Sequence, residues 1–250
     1  SIPAAMAAGV CSGYITALLQ TKMGIDSLLA GIIVNTGLYS VNIAVMAGSS
    51  LVNMNKTTTV FTMMKDLLAG TPLENHNRTI VALIAVLLTV AFLTVFLNTR
   101  LGLAIRATGN NPDMVRSSSI NPVFTTTVGL CVANAFTGLS GCLMAQSQKS
   151  AEINLGSGMV TIALASLLIG STLMGRGGIF TRAVGMVLGA FVFRLVYAVA
   201  LRLNMPSFML KLVSSVIVAL AIALPYLKQQ WPTIRRRLSY KRAAVAKGGD

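Results

Sequence analysis

Charge is what this sequence has least of. Of 250 residues only 6 are Asp or Glu, 20 are Lys or Arg, and charged side chains make up 10% of the chain, against about 25% in a soluble domain. Hydrophobic residues reach 54% and mean hydropathy is +0.75. Polar surface is therefore too scarce to cover a globule in water, and the apolar residues lie in long uncharged runs that suit a bilayer. Aromatics are scarce as well, at 6%. The net charge of +14 is thus no sign of nucleic acid, which calls for a solvated basic face with stacking side chains. Cys11, Cys131 and Cys142 sit in apolar runs far in sequence from the single His76. That spacing fits neither a zinc site nor a disulfide framework, and suits small buried hydrophobes.

Catalytic signatures are missing too. The closest approach to a phosphate-binding loop is Gly170 to Gly177, but Arg176 stands where a Lys is required and the segment follows an apolar run rather than a strand. No HExxH pair, nucleophile elbow or buried carboxylate pair occurs. The reading is a non-enzyme with no cofactor or metal of its own. Asp26, Asp66, Glu74, Asp113, Glu152 and Asp250 all fall in loops or at segment ends, whereas ion-coupled carriers need ionisable groups inside their spans. A transporter of this composition must draw its energy from a separate motor. The chain also opens on Ser1 with no basic leader or cleavage site, and reads as one whose first segment is missing.

What the sequence does contain is a series of spans, each near the roughly 20 apolar residues a bilayer requires. They are 2–20, 27–48, 79–99, 122–145, 153–175, 180–201 and 207–227, so the fold class is all-α, a polytopic transmembrane helical bundle of about seven spans, some broken or re-entrant. Residues 1–228 form the transmembrane domain and 229–250 a basic tail anchored at anionic lipid, with Trp231 at headgroup level. Lys22, Arg100, Arg106, Arg116, Arg176, Arg182 and the tail share one side; Lys56, Lys65, Arg78, Lys149, Arg202 and Lys211 share the other. The richer side is the cytoplasmic one, which puts the C-terminus inside.

The external connection 48–78 carries Val60, Met63, Met64, Leu67 and Leu68 at helical spacing, and so predicts an interfacial amphipathic helix. Gly9 with Gly13, and Gly185 with Gly189, have the spacing of close helix packing, either within the chain or between subunits. A short echo relates 27–31 to 166–170. Arg194 is the one charge deep in a span, either snorkelling to the interface or meeting solute.

The most ordered stretch is the cytoplasmic loop 100–121. Gly109, Asn110, Asn111 and Pro112 predict the end of one helix and the cap of another, with Asp113 well placed in the new first turn. Met114 and Val115 then form a short apolar face on a helical knob that a partner's groove can receive.

This loop resembles the coupling-helix region of permease subunits from ABC importers of the branched-chain amino acid and ribose type. Arg106, Ala107, Gly109, Asn110, Arg116 and Ile120 match the family's pattern, while Val115 replaces its usual Ala and Ser119 its usual Gly. A second block is similar to the family's Gly-rich turn: Leu168 to Gly178, followed by Gly185, Gly189 and Ala190. The stretch 28–50 looks closest to an uncharacterised branch linked with aromatic amino acid uptake. The resemblance spans nearly the whole chain, short of the family's first span or two.

It implies a multi-pass subunit of the bacterial inner membrane, paired with a second permease copy as a homo- or heterodimer. Two cytoplasmic ATPase subunits, which carry the ATP and Mg, would dock at Arg106, Ala107, Gly109, Asn110, Pro112, Asp113, Met114 and Arg116. An extracytoplasmic solute-binding protein would deliver the solute, most plainly an amino acid, with a sugar or nucleoside as the alternative. Asn35, Thr36, Tyr39, Asn42 and Asn134 are polar residues within spans and the candidates for the path, where they either line it or hydrogen-bond between helices. Two rival classes remain, an ion-driven carrier or channel and a membrane scaffold.

Overall fold

The computed structural model describes residues 1–55, 57–67, 76–156, 159–175 and 177–202, with scattered positions from 212 to 223. The expected span at 207–227, the basic tail, Lys56, Leu68, Glu74, Arg176 and Lys211 lie outside the described residues. Two compact units appear, divided after Gly156.

The first unit begins with α1 (Ile2–Thr21) and α2 (Ser27–Val45), followed by strand β1 (Leu51–Asn53) and α3 (Val60–Leu67). Next come α4 (Asn77–Asn98), α5 (Arg100–Asn110), α6 (Pro112–Ser117), α7 (Pro122–Gln148) and β2 (Ser150–Glu152). Asp26 caps α2 by accepting from the Leu28 N–H at 2.9 Å. Asn121 caps α7 by accepting from Val123 at 2.9 Å, and Pro122 supplies a preset φ at the first helical position.

Within the spans, Thr16, Thr36, Thr89, Thr94, Thr127 and Thr137 each donate to the carbonyl four residues back. Hydroxyls so satisfied are tolerated in hydrocarbon. The helices α1, α2, α4 and α7 are long and apolar enough to cross a membrane, as is 179–199 in the second unit.

Helices α1 and α7 form the tightest antiparallel pair. A Cβ on Gly9 would collide with the Asn134 carbonyl, one on Gly138 with that of Ala5, and one on Gly13 would lie 2.6 Å from that of Leu130. Only glycine lets the two backbones approach this closely. The pairing also sorts the ends of the unit. Gln20, Thr21 and Gly24 meet the α5–α6 connection at one end. At the other, β1 pairs antiparallel with β2, Leu51 opposite Glu152.

Gln146, 3% exposed, accepts from the Val60 N–H at 3.0 Å and so fastens the start of α3 to α7. Thr59 and Thr62 cap α3 reciprocally, the Thr62 N–H donating to Thr59 Oγ1 at 3.2 Å and the Thr59 N–H to Thr62 Oγ1 at 2.7 Å. A helix therefore stands where the sequence predicts one. Phe61, which the pattern did not single out, is buried at 8% exposure where α3 meets α4 and α7, while Met63 and Leu67 are exposed.

Among the described residues of the second unit, α8 (Met159–Met174) and α9 (Ile179–Arg202) pack as a hairpin. Here Gly170, Gly185 and Gly189 meet, and a Cβ on Gly189 would strike the Ser166 carbonyl. Both GxxxG pairs thus close helix contacts within the chain. At 16 residues, α8 rises about 24 Å, shorter than the full span expected for 153–175. The 3-10 turn Ile153–Gly156 takes up the start of that apolar run. The echo between 27–31 and 166–170 falls at the first turn of α2 but in the middle of α8, so these are not equivalent positions.

Candidate coupling segment and translocation face

At one end of the first unit, the chain leaves α4 by a sharp turn. Thr99 ends α4 and caps α5, accepting from the Gly102 N–H at 3.2 Å. Gly102 is packed so closely on the end of α4 that a Cβ would strike the Phe96 carbonyl. Helix α5 then runs through Gly109 to Asn110, so within the predicted stop at 109–112 it is the Asn-Pro step that ends the helix. The break comes at Asn111, whose extended backbone (φ −156°, ψ 101°) is what a residue before proline requires. Asn111 then caps α6, accepting from the Asp113 and Met114 N–H groups at 3.1 Å each.

Helix α6 is a knob with a buried root. Val115 is 2% exposed and Met114 63%, so the two do not share an outward apolar face. Val115 anchors, and Met114 points away from the protein. Asp113 occupies the first turn, where a carboxylate suits the helix dipole. Its 3.8 Å pair with Arg116 is solvent-exposed on both sides and contributes little to stability.

The helix ends with Ser119 at φ 60°. The Ile120 N–H donates to the Val115 carbonyl at 3.2 Å and the Ser119 N–H to Arg116 at 3.1 Å, the bonding of a Schellman stop. Beneath the knob, Thr108 and Thr125 bring their hydroxyls to 2.8 Å, both buried, and join α5 to α7. Arg106, Gly109, Asn110, Pro112, Asp113, Met114 and Arg116 are exposed and Ala107 is half-buried. Gly109, Pro112 and Arg116 also border a cavity of about 630 Å³ reaching Gln20 of α1 and Thr126 of α7. Thr108, Thr125 and Val115 are the structural members of this segment that sequence reasoning missed or misassigned.

The polar residues of the spans divide into two places. Asn35, Tyr39 and Asn42 recur at i, i+4 and i+7 on one face of α2, exposed and without a hydrogen bond among the described residues. Thr36 is adjacent, its hydroxyl donating to Ile32 at 2.9 Å. Asn134 is elsewhere. It packs where Gly9 and Gly13 meet α7, and its amide donates to the Leu130 carbonyl at 2.9 Å. Its place is the α1–α7 contact, not the α2 face. Among the described residues no group of His, Cys, Asp and Glu is placed to hold a metal.

Residues 1–226 match the family model described as the branched-chain amino acid transport system permease component. The chain belongs to that family. The permease is 30% identical over 219 residues to the tyrosine transport system permease protein of Clostridioides difficile, covering 88% of this chain and 70% of that one. Against the ribose import permease protein RbsC of Escherichia coli K12 it is 25% identical over 233 residues, covering 92% and 69%. No solved structure is a significant match. This is an ABC importer permease, a helical subunit of a multi-pass transporter, and the ion-driven carrier and the scaffold are set aside.

Proposed function

We propose that this permease forms the solute path of an amino acid importer and takes up the work of separate cytoplasmic ATPase subunits through α6 and the adjoining turn of α5. The observation that carries the reading is the build of that segment: an exposed knob bearing Met114, rooted by Val115, with Thr108–Thr125 linking α5 to α7 beneath it. A force on the knob passes into α7, a helix of 27 residues, which rises about 40 Å. Its far end holds Gln146 and β2, next to α3. Motor closure at one face thereby reaches the opposite face, where an extracytoplasmic solute-binding protein would deliver its cargo. The positive-inside asymmetry supports placing the α5–α6 end in the cytoplasm of a bacterium's inner membrane. ATP and Mg belong to the partner ATPases, and this chain performs no catalysis of its own.

The α2 face supplies the path. Exposed amides and a phenol at Asn35, Tyr39 and Asn42 are expensive against lipid tails, so a wet cavity or a second permease copy must cover them. Amino acid uptake is favoured by the tyrosine permease relative, and the ribose permease relative keeps a sugar as the second reading.

Reconstitution of the permease with its ATPase and binding protein in proteoliposomes tests this. Solute-dependent stimulation of ATP hydrolysis and uptake that stops without the ATPase are expected. Uptake that persists without the motor overturns the reading.

A further inference from the structure

Arg194 lies well inside the longest helix of the second unit. On α9 it stands between Arg182 and Arg202, which at 1.5 Å per residue are about 30 Å apart, the thickness of a hydrocarbon core. With those two at the interfaces, Arg194 is about 12 Å below the Arg202 end and about 18 Å from the other. Snorkelling does not relieve it. Side chains of a helix lean toward its N-terminus, so helix geometry directs the Arg194 stem over Ala190 toward mid-span, away from the nearer headgroups.

Nothing in the chain answers this charge. Arg194 is exposed and has no hydrogen bond or ion pair among the described residues. No Asp or Glu occurs between Glu152 and Asp250, so no later span can supply a carboxylate. Asp26, Asp66, Glu74, Asp113 and Glu152 fall in loops or at segment ends, so a second copy of this chain brings none to this depth either. A guanidinium cannot shed its charge, and left alone in hydrocarbon it is costly. A lipid phosphate stays at headgroup level, on the side from which the stem leads away. The counter-charge is therefore a mobile anion that enters and leaves through water.

The helix leaves room for it. Gly185 and Gly189 set one side of α9 against α8, and Phe193 is buried at 1% exposure. Arg194 is on another side, with exposed Ala190 and Ala198 one turn before and after it. Short methyl side chains on both flanks leave the planar fork open to take the two oxygens of a carboxylate together.

We propose that Arg194 is a solute-binding residue of the path and pairs with the carboxylate of an amino acid in transit. The proposal rests on the reading of this chain as the solute path, and it names the chemistry recognised there. An amino acid gains a charge-assisted, two-pronged partner at Arg194, whereas an uncharged sugar would leave the guanidinium without one.

The test uses the complete importer, permease with ATPase and binding protein, in proteoliposomes, with Cys11, Cys131 and Cys142 replaced by Ser. Arg194→Cys should lower motor-dependent uptake from an isotope-labelled mixture of the common amino acids by about tenfold. Reaction of the introduced thiol with 2-aminoethyl methanethiosulfonate, which restores a cation, should recover uptake several-fold, and the neutral methyl reagent should not. The amino acid mixture should slow that reaction several-fold, and ribose should leave it unchanged. A thiol that does not react in the folded complex overturns the proposal, because lipid or protein then covers the position. Reaction indifferent to amino acids overturns it as well. Motor-dependent uptake of ribose in place of amino acids overturns the carboxylate assignment and leaves the path standing, whereas uptake without the ATPase overturns the path itself. If Arg194→Cys does not assemble, Arg194→Lys decides: a several-fold higher KM for amino acids with unchanged basal ATP hydrolysis supports the pairing, and an unchanged KM overturns it.

Discussion

Thr108 Oγ1 and Thr125 Oγ1 lie 2.8 Å apart, both buried, at the junction of α5 and α7. Each hydroxyl has one proton to give. Thr108 also reaches the Ala104 carbonyl at 2.8 Å and Thr125 the Pro122 carbonyl at 3.1 Å, so one threonine donates to its own helix and the other to its partner. Replacing either with Val removes the bond between the helices while the other hydroxyl still donates to its own helix, so each single variant should lose about 0.5–1.5 kcal/mol and the double variant little more. A double-mutant cycle on thermal stability checks this. Complexes assembled with the single variants should also take up several-fold less solute per ATP hydrolysed by the partner subunits.

Ser119 predicts a gain. At φ 60° a side chain is strained, and glycine is not. Ser119→Gly should stabilise the permease by about 1 kcal/mol, and Ser119→Val should destabilise it by more. Thermal unfolding in detergent measures both. If the order is reversed, the Schellman stop is misassigned.

Glycine contacts on α7 make a sharper contrast. Gly138 faces the α1 backbone at Ala5, while Gly141, three residues on, has nothing within 4 Å. Gly138→Leu should prevent assembly, as should Gly189→Leu in the second unit. Gly141→Leu should leave the yield of folded protein unchanged. Size-exclusion profiles of the three variants decide the matter.

Gln146 should act as a latch for α3. Gln146→Leu keeps the volume but leaves the Val60 N–H without its acceptor. Hydrogen exchange over 59–67 should quicken markedly, with exchange in α1 unchanged. Equal exchange in the variant and the parent would detach α3 from α7.

Much of this was legible in the sequence because hydrocarbon imposes a simple rule: apolar length sets a span, and small residues at spacing four set a contact. Gly9, Gly13, Gly185 and Gly189 follow that rule directly. The coupling loop was legible as a capped helical knob because Gly109, Asn110, Asn111 and Pro112 together mark a helix end and a new cap, and Asn111 before Pro112 makes the break. Val115 looked like surface because a six-residue helix carries too little periodicity to tell its two sides apart. Gln146, Thr108 and Thr125 act through partners distant in sequence, and no local pattern marks such pairs. Asn134 donates to the Leu130 carbonyl of its own helix, a partner that residue type alone does not reveal.

The central claim is that α6 docks the motor. Met114→Cys, with Cys11, Cys131 and Cys142 replaced by Ser, should crosslink to the ATPase subunit in the assembled complex, with a yield that changes on ATP binding. Labelling of that cysteine by an impermeant thiol reagent added outside intact cells, with no ATPase crosslink, would contradict both the docking and the orientation.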